Sequence, residues 1–119
     1  MVIYINPVAK PRQTRADKWK QRPCVMRYRA FADELRLKYK RTKNQDAGSF
    51  SVSFFLPMPD SWSDKKKEEM LGKPHKQKPD FDNLNKAVFD ALFKDDSFVW
   101  RVLTEKRWAT KGAIIIQDF

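Results

Sequence analysis

The sequence predicts a single α+β domain, a mixed sheet of about four strands with helices in the order β-α-β-α-α-β-β. Three observations carry this. The chain has 119 residues, 41% of them hydrophobic and 13% aromatic, which suits one domain over residues 1–119 with a modest core. Apolar residues switch between a period of about 3.6 and a period of 2 along the chain, marking helices and strands. The elements do not alternate as regular βαβ units, and the last two strands follow one another across a short turn, so they are expected to pair antiparallel.

Val2-Ile3-Tyr4-Ile5 reads as a short strand over residues 2–5. Asn6 to Pro23 is a loop or arm, with three prolines and the basic residues Lys10, Arg12, Arg15, Lys18, Lys20 and Arg22 against the single acid Asp17. From 25 to 42, Tyr28, Phe31, Ala32, Leu35 and Tyr39 fall on one helical stripe. After the turn cluster 44–48, Phe50, Val52, Phe54 and Leu56 alternate as in a half-buried strand that Pro57 ends. Ser61 offers a cap hydroxyl with an acid three residues on, and Gly72 is placed as a terminator, so 62–71 is a short helix with an exposed Lys65-Lys66-Lys67 run. A basic loop then leads to Asp80. From 83 onward Leu84, Ala87, Val88, Ala91 and Leu92 form a buried helical stripe. Phe98 to Trp108 and Ala113 to Ile116 complete the sheet, joined at Thr110-Lys111-Gly112.

Charge narrows the partners. With 25 Lys+Arg against 15 Asp+Glu the net charge is +10 and the pI near 9.9, which favours a polyanion, since each cation that neutralises a phosphate releases counterions. Nucleic acid is the expected partner. The lone cysteine, Cys24, forms no intrachain bridge and has no Cys or His at metal-ligand spacing. Together with the absence of a signal-like or membrane-length apolar run, this sets the expectation of a soluble, cytoplasmic protein with no membrane partner.

Within this basic chain, carboxylates collect beside lysines at Lys78-Pro79-Asp80-Phe81-Asp82-Asn83-Leu84-Asn85-Lys86, followed by Asp95-Asp96. Asp80 and Asp82 are two residues apart, so in extended backbone both point the same way. Such a pair suits Mg²⁺, which takes one or two carboxylates and fills its shell with water and phosphate oxygens. Lys86 lies one helical turn past Asp82 and is placed to meet the charge of a phosphate. Each element has a plainer reading: Asp80 or Asp82 as a helix cap, Asp82 and Lys86 as a surface i,i+4 pair, Asp95-Asp96 as a solvated helix end. Acids are poorly placed at a helix C-terminus, however. The coincidence with the basic loop Lys73, His75, Lys76 and Lys78 favours a site.

The stretch from Lys78 through Leu92, with Asp95-Asp96 and Val99, resembles the RusA family of Holliday junction resolvases. The K-P-D-x-D-N-L-x-K-A-x-x-D-A-L pattern is far longer than a chance D-x-D. Pro7 to Arg12 is similar to that family's Pro/Lys/Arg segment after the first strand, and Gly72-Lys73-Pro74-His75 to the loop of its phage branch. Where some members have an arginine run before the first aspartate, this chain has Pro79, with Lys76 and Lys78 further back. The resemblance implies a homodimeric, Mg²⁺-dependent endonuclease that cuts four-way DNA junctions by paired nicks, with Mn²⁺ a candidate substitute. It implies metal-binding roles for Asp80, Asp82 and Asp96 and an essential role for Lys86. Lys10, Arg12, Lys73, His75, Lys76 and Lys78 are the expected DNA contacts.

A helix from 83 to about 94 spans roughly 18 Å, too far for one ion to reach both Asp82 and Asp96 in one chain. Either two such helices lie antiparallel about a dimer axis and share their acids, or the helix breaks early and Asp96 folds back. A non-catalytic branched-DNA-binding protein of the same fold is the alternative to the enzyme. A phosphotransferase lacks its Gly-rich loop, with only three glycines in the chain. Trp62, Trp100 and Trp108 are expected in the core, and Trp19, amid basic residues, stands between core and stacking roles.

Overall fold

The computed structural model describes residues 1–11, 22–39 and 48–118. Its elements are β1 (Val2–Ile3), α1 (Pro23–Lys38), β2 (Ser49–Pro57), α2 (Asp64–Met70), α3 (Phe81–Leu92), β3 (Arg101–Ala109) and β4 (Ala113–Asp118), the order expected. The basic arm from Arg12, including Trp19, and the end of the expected first helix past Lys38 fall largely outside the described residues.

The four strands stand in the order β1-β4-β2-β3. β4 pairs antiparallel with β1 and β2, whereas β2 and β3 run parallel in register over nine residues from Ser49↔Arg101 to Pro57↔Ala109. This corrects the expected pairing of the last two strands. They run in opposite directions, but β2 lies between them. The reason is burial: β2, with Phe50, Val52, Phe54 and Leu56 buried, and β4, with Ala113, Ile114 and Ile116 buried, take the two central places, where apolar strands lose most water. The Glu105-Lys106-Arg107 run suits β3 to an edge. The connection from β2 to β3 is therefore a crossover carrying α2 and α3.

One face of the sheet is covered. Ile3, Ile5, Phe50, Val52, Phe54, Leu56, Ile114 and Ile116 meet Tyr28, Phe31, Ala32 and Leu35 of α1 and Leu84, Ala87, Val88 and Ala91 of α3 in one core. Both predicted helical stripes are thus buried, apart from Tyr39 and Leu92, which are partly buried against the core. α1 starts at Pro23, whose fixed φ and missing N–H are tolerated in the first turn. Two bonds bind it to α3: the Tyr28 hydroxyl donates to the Ala87 carbonyl at 3.3 Å and Arg36 Nε to the Ala91 carbonyl at 2.6 Å.

Boundaries shift in instructive places. The cap of α2 is Ser63, whose Oγ accepts from the Lys66 amide at 3.2 Å, rather than Ser61. The helix buries none of its residues and stops before Gly72, which takes φ +77°. α3 starts at Phe81, two residues early. Trp108 is buried and Trp62 packs on it, ring centroids 4.7 Å apart, but Trp100 is 67% exposed, against expectation. It lies just ahead of β3.

Candidate functional site

The start of α3 gathers the expected residues. Asp80 is the N-cap, with extended backbone (φ −67°, ψ 143°), and its carbonyl accepts from the Leu84 amide at 3.1 Å. Its side chain makes no capping bond. Since a capping Asp ordinarily spends its carboxylate on the N2 or N3 amide, this one is left for another partner. Asp82 lies in the first helical turn rather than in extended backbone, and Lys86 follows one turn later on an exposed face. Among the described residues, neither carboxylate is hydrogen-bonded or ion-paired, and Lys86 does not close onto Asp82. Two unspent carboxylates at a helix N-terminus, where the dipole favours negative charge, make a donor set suited to a hard divalent cation.

Asp95 and Asp96 prove unequal. The Ser97 amide donates to Asp95 Oδ1 at 2.9 Å, and this bond, with a second to the Ser97 side chain, holds the Asp95 carboxyl below the usual carboxylate range. Asp96 takes part only through its backbone, its carbonyl accepting from the Val99 amide at 3.0 Å. The second acid of the pair is thus the one with a side chain to offer.

The chain does not bring Asp96 to Asp80 and Asp82. α3 is unbroken over its 12 residues, roughly 18 Å, and Asp96 lies beyond its far end. Among the described residues no group of three His, Cys, Asp or Glu side chains could hold a metal ion. An early break of the helix is not what the structure adopts.

The basic residues divide in the same way. Lys73, Lys76 and Lys78 are exposed on the loop before Asp80. Lys10 faces inward. Its amide donates to the Asn83 carbonyl at 3.2 Å, its ammonium is ion-paired with Asp90 and lies 5.6 Å from the Tyr28 ring centroid. His75 is only 5% exposed, and its ring packs against Trp108, tilted by 43° with centroids 4.0 Å apart. Its amide donates to the Lys106 carbonyl and its Nδ1 accepts from the Gln77 amide. Burial, and then the Lys106 charge, lower its pKa, so the ring is neutral at pH 7 and anchors the loop. Arg12 lies outside the described residues.

Three residues beside the site escaped the sequence reading. Thr104 Oγ1 donates to Asn85 Oδ1 at 3.0 Å, joining β3 to α3 next to Lys86. Asp90 receives Lys10. Lys106 Nζ donates to the Gln77 carbonyl at 2.5 Å and the Pro79 carbonyl at 2.8 Å. Its signal was available, because the alternation Val102, Thr104, Lys106, Trp108 puts a lysine on the inward phase of a strand.

The structure is thus a basic α+β domain with unspent carboxylates on a helix start beside exposed lysines. Comparison with known families makes the assignment specific: residues 5–117 match the family described as Endodeoxyribonuclease RusA. The chain belongs to the RusA endodeoxyribonuclease family. No curated protein and no solved structure matches it. Among the described residues no helix is long and apolar enough to cross a membrane.

Proposed function

We propose that the chain is a Mg²⁺-dependent endonuclease that resolves four-way DNA junctions by paired nicks as a homodimer. The observation that carries this reading is the pair Asp80 and Asp82, both unspent at the start of α3, with Lys86 one turn on. Asp80 and Asp82 would hold the ion, which supplies Lewis-acid polarisation of the phosphodiester when bound. Water attacks in line with the leaving oxygen, and the Lys86 ammonium stabilises the charge that grows on the phosphoryl oxygens. Lys73, Lys76 and Lys78 hold flanking phosphates and add counterion release.

The length of α3 supports a shared site. Asp96 of a second copy would complete each ion's set, and two-fold pairing would generate two equivalent centres for symmetric cuts. A labelled four-way junction incubated with Mg²⁺ tests the reading, with and without chelator and with Asp82→Asn alongside. Mg²⁺-dependent nicks that Asp82→Asn abolishes while junction binding persists are expected. Binding without any nicks from the unaltered protein would mean a branched-DNA-binding protein instead.

A further inference from the structure

We propose that Lys106 is a positioning residue that holds the Asp80 carboxylate in place for the ion, an inference that rests on the metal role proposed for Asp80. Lys106 sits on the face of β3 that looks toward the helices, in phase with Trp108, which is buried. A half-buried ammonium carries a desolvation cost that a carboxylate partner usually offsets. Among the described residues Lys106 has none. Its charge is instead satisfied by two main-chain carbonyls, those of Gln77 and Pro79, three residues and one residue ahead of Asp80.

The same residue grips the loop a second time. Its own carbonyl accepts from the His75 amide at 3.0 Å, while the His75 ring lies on Trp108, two residues along the same strand face. Residues 75, 77 and 79 are thereby fixed to one strand position, at every second residue of the approach to Asp80. This matters because Asp80 does not fix its own side chain by capping α3. The peptide just before it is held by Lys106, and the peptide after it by the first turn of the helix. A neutral side chain of similar length, such as Met, fills the space but donates to neither carbonyl. Arg retains donors for both.

Lys106→Met and Lys106→Arg in the full chain test this with three readings: Mn²⁺ affinity without DNA, followed by the paramagnetic resonance of the free ion; backbone amide order parameters of Lys78, Asp80 and Phe81; and junction affinity. Lys106→Met is expected to weaken Mn²⁺ binding about tenfold or more, as loss of a group that orients a ligand does, and to lower the order parameters from the rigid range near 0.85 toward 0.6. Lys106→Arg is expected to restore most of both, with junction affinity nearly unchanged in each variant. Unchanged order parameters in Lys106→Met overturn the proposal. So does a loss of junction affinity with Mn²⁺ binding intact, which would make Lys106 a phosphate contact. If the unaltered chain binds no Mn²⁺ but Lys106→Met still loosens residues 78–81, the metal reading of Asp80 fails while the clasp stands.

Discussion

Lys10 reaches across the molecule to Asp90 on the far half of α3, while its amide bonds the Asn83 carbonyl near the helix start. One residue thus ties the segment after β1 to both halves of the site helix. The pair's side chains keep only 23% and 30% of their exposure. A double-mutant cycle of Lys10→Met and Asp90→Asn is expected to give a coupling of about 1 kcal/mol in chemical denaturation. Coupling indistinguishable from zero would leave Lys10 free for DNA.

The two neighbouring acids separate by experiment. Asp96→Asn is expected to reduce junction nicking about a hundredfold or more, since even groups that only orient a ligand cost 10- to 100-fold. Asp95→Ala, which removes a turn acceptor, is expected to retain activity within a few-fold. Mixing Asp82→Asn with Asp96→Asn should restore nicking, because one of the heterodimer's two shared sites is intact. A mixture as inactive as its parents would place Asp96 outside a shared site.

His75 makes stability depend on pH. Its folded pKa lies below the ordinary value of about 6.5 because burial disfavours the imidazolium. Below pH 6.5 the unfolded chain binds the proton first. The contribution is therefore complete above pH 6.5 and is lost as pH falls through the folded pKa. Melting temperatures between pH 7.5 and 5 should fall less steeply for His75→Phe, which retains a ring against Trp108. Parallel curves would deny His75 this role.

Gly48 governs the segment that presents Asp96. Its carbonyl accepts from the amides of Trp100 and Arg101 at 3.0 and 3.1 Å, and a Cβ built there collides with the Phe98 carbonyl oxygen. Gly48→Ala is expected to cost about 1–3 kcal/mol of stability, as overpacking does. It should also reduce nicking by displacing residues 96–98, with junction binding retained. A variant as stable and active as the parent would show that this approach does not matter.

Much of this was legible in the residues. The stripes of Tyr28, Phe31, Ala32 and Leu35 and of Leu84, Ala87, Val88 and Ala91 gave both core helices, because one buried face imposes a local period. The sheet order was not legible in that way. Alternation tells which face of Phe50 or Ile114 is buried, but not which strand lies beside it, and the parallel partner of β2 comes 52 residues later at Ser49↔Arg101. The site divided along the same line. The long motif at residues 78–92 pointed to Asp80, Asp82 and Lys86, whereas Lys106 acts through main-chain carbonyls, which carry no residue identity. Ser61 and Ser63 offered the same cap chemistry, and backbone geometry chose between them.

The parallel partnership of β2 and β3 has a broader consequence. Asp80, Asp82, Lys86, Asp96 and the exposed lysines at 73, 76 and 78 all belong to the single excursion between these two strands. The ladder between β2 and β3 forms without them, and only the backbone of Lys73, whose carbonyl accepts from the Trp108 amide, touches the outer edge of β3. Recharging the exposed positions of that excursion can therefore retune what the protein grips while the buried stripe of α3 and the sheet beneath stay the same, so variation in substrate choice has one stretch of chain in which to accumulate.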